Sequence, residues 1–309
     1  MKILVTGGAG YIGTVLLPML LNRKYQVTVL DNLMYGGTQL LPYLMYKNFQ
    51  LVKEDIRNKT RVKKICRDKD IIIHLAAIVG YAPCRKDPIL ASEVNVVGSK
   101  NIASCLGTKQ YLIFASTNTN YGAIKDKICT EESPLNPQSI YGKTKTAAET
   151  ILLKHANSIV YRFATGFGVS PRLRLDTLIN QFVYQAVREK YLVVYEANFI
   201  RSFIHVNDMA RAILFALDHL PSMIGQIYNV GSHDLNYSKR DICEMIARET
   251  NVYVHFADVG QDADKRNYIV SYAKIKKLGF GTTVTIKRGI QELIRAVPIV
   301  EITSPYSNS

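Results

Sequence analysis

A doubly wound parallel α/β sheet, with a smaller mixed α/β region after it, is the fold class the sequence predicts. Three observations carry it. Strand-like and helix-like segments alternate from the N-terminus to about Gly168, the rhythm of strands joined by crossover helices. The run Ile71-Ile72-Ile73-His74-Leu75 is almost continuously apolar, as a strand in the middle of a parallel sheet must be. A glycine-rich turn, Gly7-Gly8-Ala9-Gly10-Tyr11-Ile12-Gly13, stands between the first strand and the first helix, where such sheets place a phosphate-binding loop.

The elements follow in order. Ile3-Leu4-Val5 reads as the first buried strand, and Ile12, Val15, Leu16 and Met19 recur at helical spacing behind the glycines. Gly7 permits the tight turn, Gly10 leaves room for a pyrophosphate, and Gly13 lets the helix pack closely on the strand. The glycines stand as G-x-x-G-x-x-G rather than G-x-G-x-x-G. Gln26–Leu30 reads as the second strand and ends at Asp31, close to the roughly 20 residues past the glycines at which a ribose-binding acid is expected. A carboxylate there accepts the ribose hydroxyls and repels a 2′-phosphate. No arginine is adjacent in sequence, so NAD rather than NADP is the expected dinucleotide. An ordinary strand-end aspartate is the plain alternative.

Phe49–Val52 is the third expected strand, followed by Glu54-Asp55-Ile56 and a basic helix from Lys59 to Lys69. His74 is expected to be a packed strand residue. Ala76-Ala77 are small enough for a cofactor to lie across the strand end. A long helix is expected after Pro88, through Leu90, Val94, Val97 and Ile102. Tyr111–Phe114 is a strand leading to Ser116-Thr117. A helix starting at Ser139 carries Tyr141, Lys145, Ala148 and Ile151, and Ile159–Tyr161 is the sixth strand. Beyond Gly168 the segments are shorter and mixed. Helices are expected near 177–189, 208–217 and 239–249, and strands near 193–195 and 226–230. The expected organisation is a nucleotide-binding domain over 1–168, a mainly substrate-binding region over 169–297 partly interleaved with it, and a loose tail over 298–309.

Composition bounds the function. With 309 residues and 48% hydrophobic content, a sizeable core is available. Only three apolar residues separate Lys2 from Thr6, so no signal peptide is expected. No apolar run approaches the roughly 20 residues that span a bilayer. Five scattered cysteines, none in C-x-x-C spacing, read as reduced thiols, and the expected localisation is cytoplasmic. Cys84 either packs structurally or lines the pocket. The six histidines show no zinc-ligand spacing, and no metal is expected. The net charge of +14 raises nucleic-acid binding as a possibility. Its densest run, Lys59–Lys69, carries Val62, Ile65 and Cys66 at helical spacing and lacks aromatic residues. That is the pattern of a solvated basic helix face, not of a base-stacking platform. Attraction of a diphosphate is a second use for positive charge. No nucleic-acid and no membrane partner is expected.

Tyr141-Gly142-Lys143-Thr144-Lys145 carries the chemistry. Tyr141 and Lys145 lie four apart, so one helix face presents both. A free phenol has a pKa of about 10, and lowering it by about three units corresponds to roughly 4 kcal/mol. A neighbouring ammonium and the positive field of an oxidised nicotinamide both favour the phenolate, which makes Tyr141 a usable general base near neutral pH. Thr117, at a strand end, can orient or relay the proton.

At these residues the chain resembles the extended short-chain dehydrogenase/reductase family, in its nucleotide-sugar epimerase and dehydratase branch. The resemblance covers roughly residues 1 to 295. It rests on the glycine turn, His74-Leu75-Ala76-Ala77, Asn95-Val96-Val97-Gly98, Ser116-Thr117 with Tyr121-Gly122, and Tyr141 with Lys145. Arg201-Ser202-Phe203-Ile204-His205-Val206-Asn207-Asp208 and Tyr228-Asn229-Val230-Gly231 match as well. It implies Tyr141 as base, Lys145 as its helper and Thr117 as partner. The cofactor set it implies is Gly7, Gly10, Tyr11, Ile12, Gly13, Asp31, Asn32, Asp55, Ile56, Leu75, Ala76, Ala77, Asn95, Tyr141, Lys145 and Phe163. Asn95 is expected within a fold-supporting polar network near the site. For the substrate it implies Thr117, Asn118, Thr165, Arg174, Arg201 and Arg266, with Arg201 and Arg266 as candidates for the diphosphate.

Two departures narrow the chemistry. Dehydratases of this branch carry Asp-Glu after the catalytic Thr, where this chain has Asn118-Thr119. Neither can exchange a proton usefully at pH 7, which argues against elimination. Thr165 replaces an Asn common in the family, so pocket contacts there are expected to differ. Val169–Asp176 is similar to a sub-branch that includes GDP-heptose 4-dehydrogenases. The expectation is NAD-dependent oxidation at C4 of a nucleoside-diphosphate sugar, ending in epimerisation or in release of the keto sugar. A nucleotide-sugar 4,6- or 5,6-dehydratase and a non-catalytic NAD- or nucleic-acid-binding protein are the alternatives. Apolar residues on more than one face of the helices after Pro88 and Ser139 predict a homodimer.

Overall fold

The computed structural model describes residues 1–122, 128–257 and 268–300. In chain order its strands are β1 (Lys2–Thr6), β2 (Gln26–Asp31), β3 (Phe49–Lys53), β4 (Ile71–His74), β5 (Tyr111–Thr117), β6 (Ile128–Cys129) and β7 (Ser158–Phe163). They continue with β8 (Thr165–Phe167), β9 (Tyr191–Tyr195), β10 (Ile200–His205), β11 (Gln226–Val230), β12 (Asn236–Ser238), β13 (Tyr253–Ala257) and β14 (Ile269–Val270). Seven form one sheet in the order β11-β7-β5-β4-β1-β2-β3, and every neighbouring pair in it is parallel. β1 therefore lies between β4 and β2. The crossovers leave it in opposite directions, which opens a crevice at the carboxyl ends of the strands. β1, β4 and β7 are buried almost throughout, and cores lie on both faces of the sheet. The fold is the doubly wound, Rossmann-like sheet the sequence predicts, with mixed elements after it.

A third core joins β9, β10 and the helices Leu178–Arg188, Lys239–Glu249 and Ile286–Ala296. β8, β10 and β12 form a three-stranded sheet, and β13 pairs with β9. The described residues between Thr165 and Ile224 lie outside the large sheet, and β11 then returns to close its edge on β7.

The long helix expected after Pro88 runs as Pro88–Ser92, Glu93–Gly98 and Ser99–Cys105, the middle part with wider π turns. Such an insertion re-aims side chains. Here Asn95 is turned onto the Ile78 backbone, accepting from its N–H at 2.8 Å and donating to its carbonyl at 3.0 Å. Of the tail expected to be loose, 298–309, residues 301–309 lie outside the described residues, while 298–300 make contacts. Val297–Ile299 forms one helical turn, and Arg188 Nη2 donates to the carbonyls of Val297, Pro298 and Val300. The basic helix Lys59–Cys66 buries Val62 and Cys66 and leaves its lysines outward.

Candidate active site

The glycine turn is built by close approach. Gly7 has φ +71°, and a Cβ there would stand 2.6 Å from the Ala76 nitrogen, so only glycine lets the turn cross the end of β4. Gly13 acts differently from the expectation. Its Cβ would lie 2.5 Å from the Gly8 carbonyl oxygen, so it lets the helix start close against the turn itself and not against the strand. The turn is tied to β2 by Asp31, whose Oδ2 accepts from Ala9 N–H and Oδ1 from Leu33 N–H, each at 2.9 Å. Burial pushes the Asp31 carboxyl up, and these two N–H groups and the charge of Arg172 oppose it.

A cavity of about 620 Å³ runs from this turn along the carboxyl ends of the strands. Gly7, Gly10, Tyr11, Ile12, Gly13, Asp31, Asn32, Asp55, Ile56, Leu75, Ala76, Ala77 and Phe163 all line it. The glycine cradle, the small Ala76-Ala77 and the carboxylate on β2 suit an extended dinucleotide with a free 2′-hydroxyl. Asn95 does not line the cavity. Its amide is committed to Ile78 and to Thr144 Oγ1 at 3.0 Å, which makes it a brace behind the wall.

Thr117, Tyr141 and Lys145 line the same cavity. Ser139 caps the helix Ile140–Leu152 by accepting from Gly142 N–H at 3.1 Å. One turn separates Tyr141 from Lys145. The Lys145 ammonium is buried, 4.1 Å from the centre of the Phe114 ring, and burial lowers it to about 7 against the opposing charge of Glu149. Thr117 Oγ1 donates to Thr119 Oγ1 at 3.0 Å, so β5 ends in two linked hydroxyls. His74 is the packed strand residue expected, between Thr6 Oγ1 at 2.7 Å and Ser99 Oγ at 3.0 Å. Cys84 does not line the cavity. Its thiol is buried and donates to the Ile78 carbonyl at 3.4 Å, and burial pushes it up to about 12.

Below these groups lies a buried ion pair. Glu149 accepts from Arg162 Nη2 at 2.5 Å, from Ser116 Oγ at 2.7 Å and from Asn120 Nδ2 at 3.1 Å. Arg162 Nη1 reaches the Tyr121 hydroxyl at 3.0 Å. The helix bearing Tyr141 is thereby locked to the end of β5 bearing Thr117.

Toward the second half of the chain, Thr165, Arg174 and Arg201 line the cavity. Asn118 does not: it is buried and donates to the Tyr272 hydroxyl at 3.0 Å. Arg266 lies outside the described residues. Neither Glu131 nor Glu132 lines the cavity, and Glu131 Oε1 accepts from Asn229 N–H at 2.8 Å. Tyr35, Arg172, Asp176 and Lys239 line it although sequence reasoning passed over them. Arg172, Arg174 and Asp176 alternate with Leu173 and Leu175, a period-two pattern that could have revealed a shared polar side. Arg172 stacks 4.3 Å from the centre of the Tyr35 ring. No arginine neighbours Asp31 in sequence, yet the fold brings this one within electrostatic reach. Lys239 donates to the Tyr195 carbonyl at 2.8 Å. The segment that carries Arg172–Asp176 is sewn to the glycine turn: Tyr11 Oη donates to the Gly168 carbonyl at 2.7 Å, and Ser170 Oγ lies 2.9 Å from Thr14 Oγ1. Among the described residues no cluster suits a metal ion, and no helix is long and apolar enough to cross a membrane.

Comparison with known proteins now decides the family. The profile of the NAD dependent epimerase/dehydratase family matches residues 3–231. The chain belongs to this family. It is 31% identical over 265 residues to a UDP-glucose 4-epimerase of Oryza sativa subsp. japonica, covering 74% of this chain and 72% of that one. Among solved structures, the UDP-glucose 4-epimerase of Thermus thermophilus in complex with NAD superposes with a TM-score of 0.84 at 25% identity, over 96% of this chain and 99% of that one. The dTDP-glucose 4,6-dehydratase DesIV of Streptomyces venezuelae gives 0.85 at 26% identity, over 96% of each chain. The chain is thus an NAD-dependent enzyme of the epimerase/dehydratase type on an extended short-chain dehydrogenase fold.

Proposed function

We propose that the protein oxidises C4 of a nucleoside-diphosphate sugar, as a 4-epimerase or a 4-dehydrogenase. One observation carries this reading: Tyr141, Lys145 and Thr117 share a single cavity with the glycine turn and Asp31. Gly7, Gly10, Gly13, Asp31, Ala76 and Ala77 would hold NAD, which when bound supplies the hydride acceptor. Tyr141 takes the proton of the C4 hydroxyl. Lys145 favours the phenolate through its charge, and Thr117 orients the hydroxyl that Tyr141 deprotonates. Arg201 meets the diphosphate. Residues 1–168 serve the dinucleotide, while 169–297 mainly serve the substrate.

The dehydratase alternative lacks support at its proton-transfer groups. Asn118 is turned to Tyr272, Thr119 carries only a hydroxyl, and Glu131 and Glu132 stay off the cavity wall. The similarity of Val169–Asp176 to GDP-heptose 4-dehydrogenases makes a GDP-linked heptose the finer reading. The active form is a homodimer, and the solvated basic helix has no nucleic-acid role.

Turnover with UDP-, GDP-, CDP- and dTDP-sugars, products identified by NMR and mass spectrometry, tests this. The expected product keeps its 6-hydroxyl, with unchanged mass or loss of two hydrogens. Loss of water from the sugar would replace the reading with the dehydratase one.

A further inference from the structure

Four carboxylates line the cavity: Asp31, Glu54, Asp55 and Asp176. The first three stand at the ends of β2 and β3. Asp176 alone comes from the second half of the chain. Arg174 grips it in a two-pronged contact, Nε to Oδ1 at 3.1 Å and Nη2 to Oδ2 at 2.6 Å. Nη2 also reaches the Val79 carbonyl at 3.4 Å. Gly80 leaves space for this contact, since a Cβ there would lie 3.3 Å from Nη2. From behind, Asn180 Nδ2 donates to the Arg174 carbonyl at 2.8 Å. The pair is therefore fixed both to the loop after β4 and to the helix Leu178–Arg188. Its side chains are only 11% and 14% exposed, and the charge of Arg174 is felt at Tyr141.

Burial alone would push the Asp176 carboxyl up, but the charge and hydrogen bonds of Arg174 outweigh it and hold the group below its ordinary range. Asp176 is therefore a fixed acceptor and not a proton donor. A carboxylate has about four acceptor positions, and the guanidinium takes two. Among the described residues, Arg174 Nη1 makes no hydrogen bond. A net-neutral pair with a spare acceptor beside a spare donor suits a hydroxyl, which can donate to one and accept from the other.

We propose that Arg174 and Asp176 form a subsite that reads a hydroxyl of the substrate sugar in the cavity that Tyr141 also lines, with Asp176 the specificity-determining acceptor. The ligand class is a neutral sugar bearing a free hydroxyl at that place. A deoxy analogue would leave a buried, charge-assisted acceptor unmet. The inference rests on the nucleoside-diphosphate-sugar reading above.

Calorimetry on the NAD-loaded protein tests it with two probe pairs, GDP with GDP-mannose and UDP with UDP-glucose. The readout is the gain in affinity that the sugar adds over its own nucleoside diphosphate. For the pair that the protein prefers, Asp176→Asn should cut this gain about tenfold or more, the range for a hydrogen bond to a charged group. Nucleoside-diphosphate affinity should stay within about twofold. The double variant Arg174→Gln/Asp176→Asn leaves no buried charge unpaired, and it should show the same loss if the single variant does not fold. A sugar gain unchanged in a folded variant, or absent from the wild type while the nucleoside diphosphate binds, overturns the proposal and leaves the broader reading standing. Failure of both nucleoside diphosphates to bind the wild type overturns that reading instead, and this one with it.

Discussion

Lys145 shows how a single side chain is tuned by what surrounds it. Its ammonium has lost most of its water and lies against the Phe114 ring, so its charge is held close to the point of being given up. A charge in that state acts strongly on a phenol one helical turn away, because little solvent screens it. Replacing Tyr141 by Phe should therefore spare NAD affinity and lower kcat by about 10²-fold or more, the range for a lost positioned base. Stopped-flow or coupled assays measure this directly, and activity within about twofold of wild type would remove Tyr141 from the base role. His74 makes a second residue-scale prediction. Burial lowers its imidazole to about 3 from an ordinary 6.5. Between those values only the unfolded chain takes up the proton. The stability His74 contributes is fully present above pH 6.5 and is lost as pH falls toward the folded value, at up to about 1.4 kcal/mol per pH unit. Urea unfolding at pH 7 and pH 5 should show this slope in the wild type and a shallower one in His74→Gln. Parallel slopes would place the acid sensitivity elsewhere. Tyr141 and Lys145 were legible in the sequence because both lie on one helix, where spacing dictates a common face. Asp176 and Lys239 were not, since the cavity they line arises only when distant segments meet.

At the scale of elements, the glycine turn leaves no room for a side chain at Gly7 or Gly13. Gly13→Ala would drive a methyl group into the Gly8 backbone, which cannot rotate aside as a side chain can. The expected outcome is a loss of about 1–3 kcal/mol in stability with NAD affinity reduced at least tenfold, read by thermal unfolding and calorimetry. Unaltered NAD affinity would mean that the turn tolerates the shift. The central strands β1 and β4 were legible because burial on both faces leaves them almost continuously apolar. β10 was not. Its Arg201, Ser202 and His205 are all buried, and the last two meet partners far away in sequence. Ser202 bonds the Tyr272 hydroxyl, and His205 contacts Glu292. A strand that buries polar groups carries no apolar signature. The π turns at Glu93–Gly98 were equally silent, because the apolar spacing of Leu90, Val94, Val97 and Ile102 fits an ordinary helix.

Over the whole molecule, the surface left by the paired helices is informative. Val94, Ile102 and Leu152 are buried, but Ile89 is 74% exposed and Val97 43% exposed. Both lie on the helical run Pro88–Cys105, beside the helix that presents Tyr141. A self-complementary pairing there would cover them. Light scattering at micromolar concentration should give twice the mass of 34.7 kDa, and Ile89→Glu should shift it to one chain. A monomeric wild type would contradict the dimer.

The return of β11 to the large sheet sets a timetable for synthesis. As the chain leaves the ribosome, β7 is made early, and every residue in it is destined for burial. β5 already flanks it on one side, but β11, its other neighbour, emerges only after the excursion that ends at Ile224. Until then β7 is an apolar edge unpaired on that side, the kind of surface that recruits other chains. The nascent protein must shield that edge during translation. Slower synthesis of residues 164–230 lengthens the time that edge stands open to other chains.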